Sequence, residues 1–173
     1  MKREFLSVAL IGSFALAGGP ALAGWRTVSL HPTDAQYLSS NAAGVSGGQI
    51  GGVGFISEDN EGPRSALWNG PSSAGFVSLA AIPSEVRGVS GGIQVGDLYS
   101  FGAFWQGTTD WHFVEPGADS QGRHLWGIAG GWAVGQEMFI SNPTQSHPTI
   151  WQLMDTNSGC TAQFVGELVM KAA

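Results

Sequence analysis

Cysteine is nearly absent from this chain: Cys160 stands alone among 173 residues, so no disulfide can form within it. Charge is scarce at 12%, and positive charge scarcest, with seven Lys and Arg against thirteen Asp and Glu. Without a basic cluster the chain carries no electrostatic footprint for nucleic acid or for an anionic membrane surface. Long apolar runs are missing after the first Phe5–Ala17 stretch, and that one is shorter than the roughly 20 residues needed to cross a bilayer, so no membrane span is expected. Disorder is excluded as well, because 43% hydrophobic residues are too many for a chain that cannot form a core.

The first 23 residues have the anatomy of a secretory signal peptide. Lys2 and Arg3 precede the apolar run, and Pro20-Ala21-Leu22-Ala23 supplies small residues where a signal peptidase cuts. Residues 1–23 are therefore set apart as a leader, and residues 24–173 are expected to form one β-repeat domain in an extracytoplasmic place, periplasmic or extracellular. From Gly24 onward there are five Lys and Arg against twelve Asp and Glu, a net charge of −7. The remaining 150 residues suffice for one domain that buries about 70% of its unfolded surface.

What the chain has in quantity is glycine, 27 residues, and tryptophan, seven. They recur together. Gly88-Val89-Ser90-Gly91-Gly92 leads to Ala103-Phe104-Trp105; Gly44-Val45-Ser46-Gly47-Gly48 leads to Ala66-Leu67-Trp68; Gly127-Ile128-Ala129-Gly130-Gly131 leads to Thr149-Ile150-Trp151. Trp25, Trp68, Trp105 and Trp151 follow at intervals of 43, 37 and 46 residues, the period of four-stranded propeller blades. A Gly-Gly pair between apolar flanks such as Val89 and Val95 predicts a two-residue β-hairpin turn, because such turns need positive φ. Each Trp then closes a further strand, and a Gly turn leads to a strand around Phe76-Val77 or Phe113-Val114. Pro32, Pro83 and Pro116 mark the loops beyond, since proline cannot donate to a central ladder.

These Ala-aromatic-Trp strand ends, alternating with Gly-Val-x-Gly-Gly hairpins over about Trp25–Trp151, resemble the HAF-type repeats of secreted bacterial proteins and, more broadly, β-propeller blades. The family's His before the Ala-Phe pair is replaced by Ser65 and Gly102. The resemblance implies an extracellular repeat protein and transfers no catalytic residue. The expected fold is all-β: a propeller-like array of about three four-stranded antiparallel blades, repeats 25–67, 68–104 and 105–150, plus a partial fourth at 151–173. Closed propellers need four to eight blades, so the array closes with a compact fourth blade joining the tail to the N-terminal strand, is shared between subunits, stays open or is incomplete; self-association or truncation is expected ahead of clean closure, because an open end exposes strand edges, and a homo-oligomer is among the expected outcomes.

Chemistry is sparser. Gly44–Gly48 and Gly88–Gly92 match the G-x-S-x-G nucleophile elbow, but the third copy has Ala129 for serine and a hairpin is not the strand-to-helix turn an elbow requires. His31, His112, His124 and His147 fall at unrelated repeat positions and lack zinc-ligand spacing, so no metal centre or cofactor is read. The loop Ser57–Arg64, with Glu58-Asp59-Asn60-Glu61 before Gly62, offers oxygens to a cation without the alternating acidic spacing of a calcium loop. The sharper feature is the surplus tryptophan of the third copy. Trp126 stands where the other copies have Ala43 and Arg87, Trp111 stands where the second has Ala74, and Trp132 is extra. A position that accepts Arg lies near solvent. Trp111, Trp126 and Trp132 with His112 and His124 form the candidate ligand platform, for a sugar ring or an aromatic group, with Asp110, Glu115 or Asp119 accepting hydroxyl hydrogens. The leading expectation is a secreted, non-enzymatic module binding an extracellular ligand or protein. The alternatives are a self-associating structural surface protein and, third, a glycoside-processing enzyme drawing on Asp110, Glu115, Asp119 and Glu137.

Overall fold

The computed structural model describes residues 27–56, 62–99, 101–114, 119–142, 145–156 and 159–167. The expected leader, Trp25, residues 57–61 of the candidate cation loop and Glu115 lie outside them. Among the described residues, twelve strands form three four-stranded antiparallel sheets, each a simple meander in chain order. The first holds β1 (Tyr37–Ser46), β2 (Gln49–Ile56), β3 (Pro63–Asn69) and β4 (Phe76–Ser78); the second, β5 (Ser84–Ser90), β6 (Ile93–Leu98), β7 (Phe101–Trp105) and β8 (Trp111–Phe113); the third, β9 (Ser120–Ala129), β10 (Trp132–Phe139), β11 (Ser146–Thr156) and β12 (Gly159–Glu167). One 3-10 turn, Ser73–Gly75, is the only helical piece among the described residues. The chain is all-β, as its glycine and proline punctuation implies.

The Gly-Gly hairpins are present in all three copies. Gly47 and Gly48 have φ of 57° and 81°, Gly91 and Gly92 58° and 84°, Gly130 and Gly131 54° and 81°. Two successive left-handed residues make the turn whose twist matches a right-twisted strand pair. Ser46 and Ser90 therefore sit at hairpin tips between two strands, and no nucleophile elbow exists at either.

Each hairpin also carries a bulge that the sequence does not announce. Pairing skips Ala43 between Ala42 and Gly44, Arg87 between Val86 and Gly88, and Trp126 between Leu125 and Gly127. The extra residue pushes the backbone toward the partner strand, where Gly52, Gly96 and Gly135 receive it. A Cβ on any of these three would lie 1.9 Å from the carbonyl oxygen of Asn41, Glu85 or His124. Each stands eight residues after Gly44, Gly88 or Gly127.

The sheets are out of phase with the Trp-to-Trp units. Trp68, Trp105 and Trp151 end or lie within the third strand of a sheet, and the fourth strand follows. Residues 151–167, expected as part of a fourth unit, instead complete the third sheet: Trp151 pairs with Phe164 and Leu153 with Ala162. The tail carries no glycine motif because it supplies only an outer strand.

Two apolar seams join the sheets. Between first and second lie Leu67, Leu79, Val86, Val89, Leu98, Ala103 and Trp105; between second and third, Val95, Phe104, Val114, Leu125, Ala133, Trp151 and Leu153. The first strand of a sheet approaches the first strand of the sheet before it through glycine: a Cβ on Gly88 would stand 3.0 Å from Gly127 Cα, and one on Gly44 3.3 Å from the Val89 nitrogen. Val45, Val89 and Ile128 occupy the same register, opposite Ile50, Gln94 and Ala133. Their burial differs for a simple reason. Val89 and Ile128 pack into the seam with the preceding sheet, whereas no sheet precedes β1 among the described residues and Val45 is 73% exposed.

Candidate functional site

The five expected platform residues fall into separate groups. Trp111 and His112 lie on β8, the last strand of the second sheet, His124 and Trp126 on β9, the first strand of the third, and Trp132 opens β10 at 40% exposure with no ring contact among the described residues. No ring contact links the first group to the second among those residues.

At the second sheet's edge, Gly107 with φ 74° turns the chain back from β7 into β8, and its N–H donates to the buried Gln94 Oε1 at 2.7 Å. Alternation along β8 sends Trp111 and Phe113 to one face and His112 to the other. Trp111 and Phe113 rings are 4.8 Å apart, and Phe113 meets Phe101 at 5.8 Å. All three are about two-fifths exposed, at 40%, 43% and 44% for Trp111, Phe113 and Phe101. On the other face His112 stacks on Phe104 at 5.2 Å and 21°. Between this strand and the third sheet opens a cleft of about 470 Å³. Phe104, His112 and Ala162 face it from the seam, and Trp111, Phe113, Met154, Thr161 and Gln163, whose side chains alternate to the opposite faces of their strands, border its rim. The stacked His112 and Phe104 rings can receive a flat apolar surface while rim groups such as the Thr161 hydroxyl and the Gln163 amide exchange hydrogen bonds with its polar edge.

The second group is a clamp across the seam. Asp97, buried on β6, accepts the Leu125 N–H through Oδ1 at 3.2 Å, and its Oδ2 lies 2.8 Å from His124 Nδ1 and 2.8 Å from Arg87 Nη2. Arg87 also reaches Glu85 at 3.3 Å and lays its guanidinium over the Trp126 ring, 4.1 Å from the centroid. The two bulge residues of neighbouring sheets thus stack on each other. Burial pushes the Asp97 carboxyl above the ordinary aspartate value of 3.8, and the His124 hydrogen bond, Arg87 and the Leu125 N–H only partly offset this. Beside the clamp a smaller cleft of about 210 Å³ is bordered by Pro63, Pro83 and Tyr99, the last holding φ 56° in the β6–β7 turn. His124 and Trp126 are committed here to holding two sheets together.

The carboxylates considered for catalysis are dispersed. Glu137 is buried beside Arg123, Oε1 to Nε 3.4 Å. Arg123 also donates to Ser120 and to the Val114 carbonyl, and burial draws its guanidinium below the usual value. Asp119 accepts from the Ser141 hydroxyl, and Asp110 is exposed next to Trp111. Among the described residues no three His, Cys, Asp or Glu side chains gather as a metal site.

Sequence reasoning missed Phe101, Phe113, Thr161 and Gln163. Phe113 follows Trp111 by two in a strand, a spacing that places both rings on one face. Thr161 and Gln163 gave no signal, because only the pairing of β11 with β12 brings them opposite β8. No family model, curated protein or solved structure matches the chain.

Proposed function

We propose that this chain is an exported, non-enzymatic binding module whose three sheets stand as propeller-like blades and whose ligand is a carbohydrate held in the cleft beside β8. Succession of the inner strands β1, β5 and β9 through their glycine contacts, with each sheet stacked on the one before, supports the propeller-like reading. The HAF-type resemblance and the leader-like first 23 residues support export. The observation that carries the ligand assignment is the His112–Phe104 stack in a cleft of about 470 Å³ whose rim holds Trp111, Phe113, Thr161 and Gln163. A sugar ring has an apolar C–H face for the stacked rings and hydroxyls for the polar rim groups, and the volume lies within the range of small-molecule sites. The acidic surface accords with a neutral ligand rather than nucleic acid.

Titration with soluble oligosaccharides, including cell-wall fragments, read by tryptophan emission and calorimetry, tests this. Binding should weaken about tenfold or more in Trp111→Ala, since loss of an aromatic anchor costs about 2 kcal/mol. Gln163→Ala should lose part of the affinity, and Trp132→Ala should keep it. Silence across the panel, or equal affinity in Trp111→Ala, ends the carbohydrate reading.

A further inference from the structure

The third sheet has a side that nothing covers among the described residues, and the chain's own seams indicate what belongs there. Within the first two sheets, the residues facing the next sheet are Gly51 and Leu67, then Val95 and Phe104. Leu67, Val95 and Phe104 are fully buried in the seams, and Gly51 lies directly under Val86 and Val89. Register places Val134 and Ile150 at the same positions in the third sheet. Val134 is 40% exposed there, as is Trp132 beside it. Trp132, Val134 and Gln136 on β10 with Ile150 and Gln152 on β11 share this face by alternation, and none is charged. A sheet face meant for water would alternate polar and charged groups outward.

The complementary half is at the other end of the molecule. In each seam the next sheet answers with its motif residue: Val89 packs toward Gly51, and Ile128 packs on the cluster holding Val95. Val45 is that residue in the first sheet, and it is 73% exposed. Trp68, farther out on the same face, is already buried. The open part is the inner end, where β1 would meet the inner strands of another sheet.

We propose that a second copy of this chain seats the open side of its first sheet on the free face of the third, Val45 against Val134, so that two copies close one ring of six sheets. The contact continues a seam the chain builds twice internally. A head-to-tail contact made reciprocally by two copies closes on itself, and six sheets fall within the four to eight of closed propellers. The open inner half of such a face offers roughly 250 Å² per copy, so the two seams together bury roughly 1,000 Å², the lower bound for a specific interface.

The test is mass in solution, by light scattering on the purified protein, for wild type, Val45→Arg and Val134→Asp. Both substituted positions are exposed, and unchanged circular dichroism and tryptophan emission confirm that each variant folds. Wild type should have the mass of two copies, and each variant alone that of one. An equimolar mixture of the two variants should regain the two-copy mass, because one seam is then native and the other sets the introduced arginine against the introduced aspartate. A one-copy wild type at every concentration, a ladder of larger masses, a two-copy Val45→Arg, or a mixture that stays at one copy would each overturn the proposal. Carbohydrate titration is a separate readout at β8, so failure of either leaves the other standing.

Discussion

One methyl group is the difference between a working bulge and a collision at Gly52, Gly96 and Gly135. With a carbonyl oxygen 1.9 Å from the Cβ position, the strand must move to admit alanine. Gly96→Ala should cost about 3 kcal/mol, the upper part of the usual range for overpacking, read as a lower urea midpoint. Gly91→Asn should cost far less, because asparagine tolerates the left-handed conformation of a two-residue hairpin turn. Asp97 gives a residue-scale effect of another kind. Below 3.8 folded and unfolded chains both hold its proton; between that value and the raised folded value only the folded chain does; above both, neither does. Its contribution to stability therefore falls as pH rises through that window. Carboxyl NMR should place the Asp97 titration above the ordinary aspartate range, and Asp97→Asn should remove its share of the slope of stability against pH. The exposure of Trp126 could be read from its alignment with Arg87. Its partner could not, because the bulge that aims both side chains together leaves no trace in hydrophobic alternation.

Among the elements, strands joined by glycine turns were legible and sheet boundaries were not. Tryptophan is the loudest periodic mark, yet Trp68 and Trp105 fall near the end of a third strand, and a unit drawn from one to the next borrows the fourth strand from the sheet before. β12 was the hardest to place because pairing with β11, and no motif of its own, assigns it to the third sheet. The seam tryptophans work by volume. Trp105 is fully buried, and its indole N–H finds no acceptor among the described residues. Trp105→Ala should cost about 4 kcal/mol as a large cavity opens. Trp105→Phe should cost about half as much, because it keeps most of the ring and removes a buried, unanswered donor. Denaturant titrations of the two variants would show whether hydrogen bonding matters more than this.

Across the whole molecule, protection from solvent is uneven. The second sheet is covered on both sides, and Val95, Ala103, Phe104 and Trp105 are wholly buried, whereas β1 of the first sheet is mostly exposed along its length. Hydrogen exchange should accordingly be slowest in β6 and β7 and fastest in β1, since local opening is cheapest where few apolar contacts must be broken. Equal protection of β1 and β6 would mean that the sheets unfold as one unit.

The seams also bear on how such a chain could lengthen. Every sheet brings both halves of a joint, an aliphatic residue after glycine toward its predecessor and, on the opposite face, an uncharged register pair: Gly51 with Leu67, Val95 with Phe104, or Val134 with Ile150. A tandem duplication of one unit would thus arrive with fitting surfaces on either side, and the number of sheets could drift by whole steps while each joint stayed as it was.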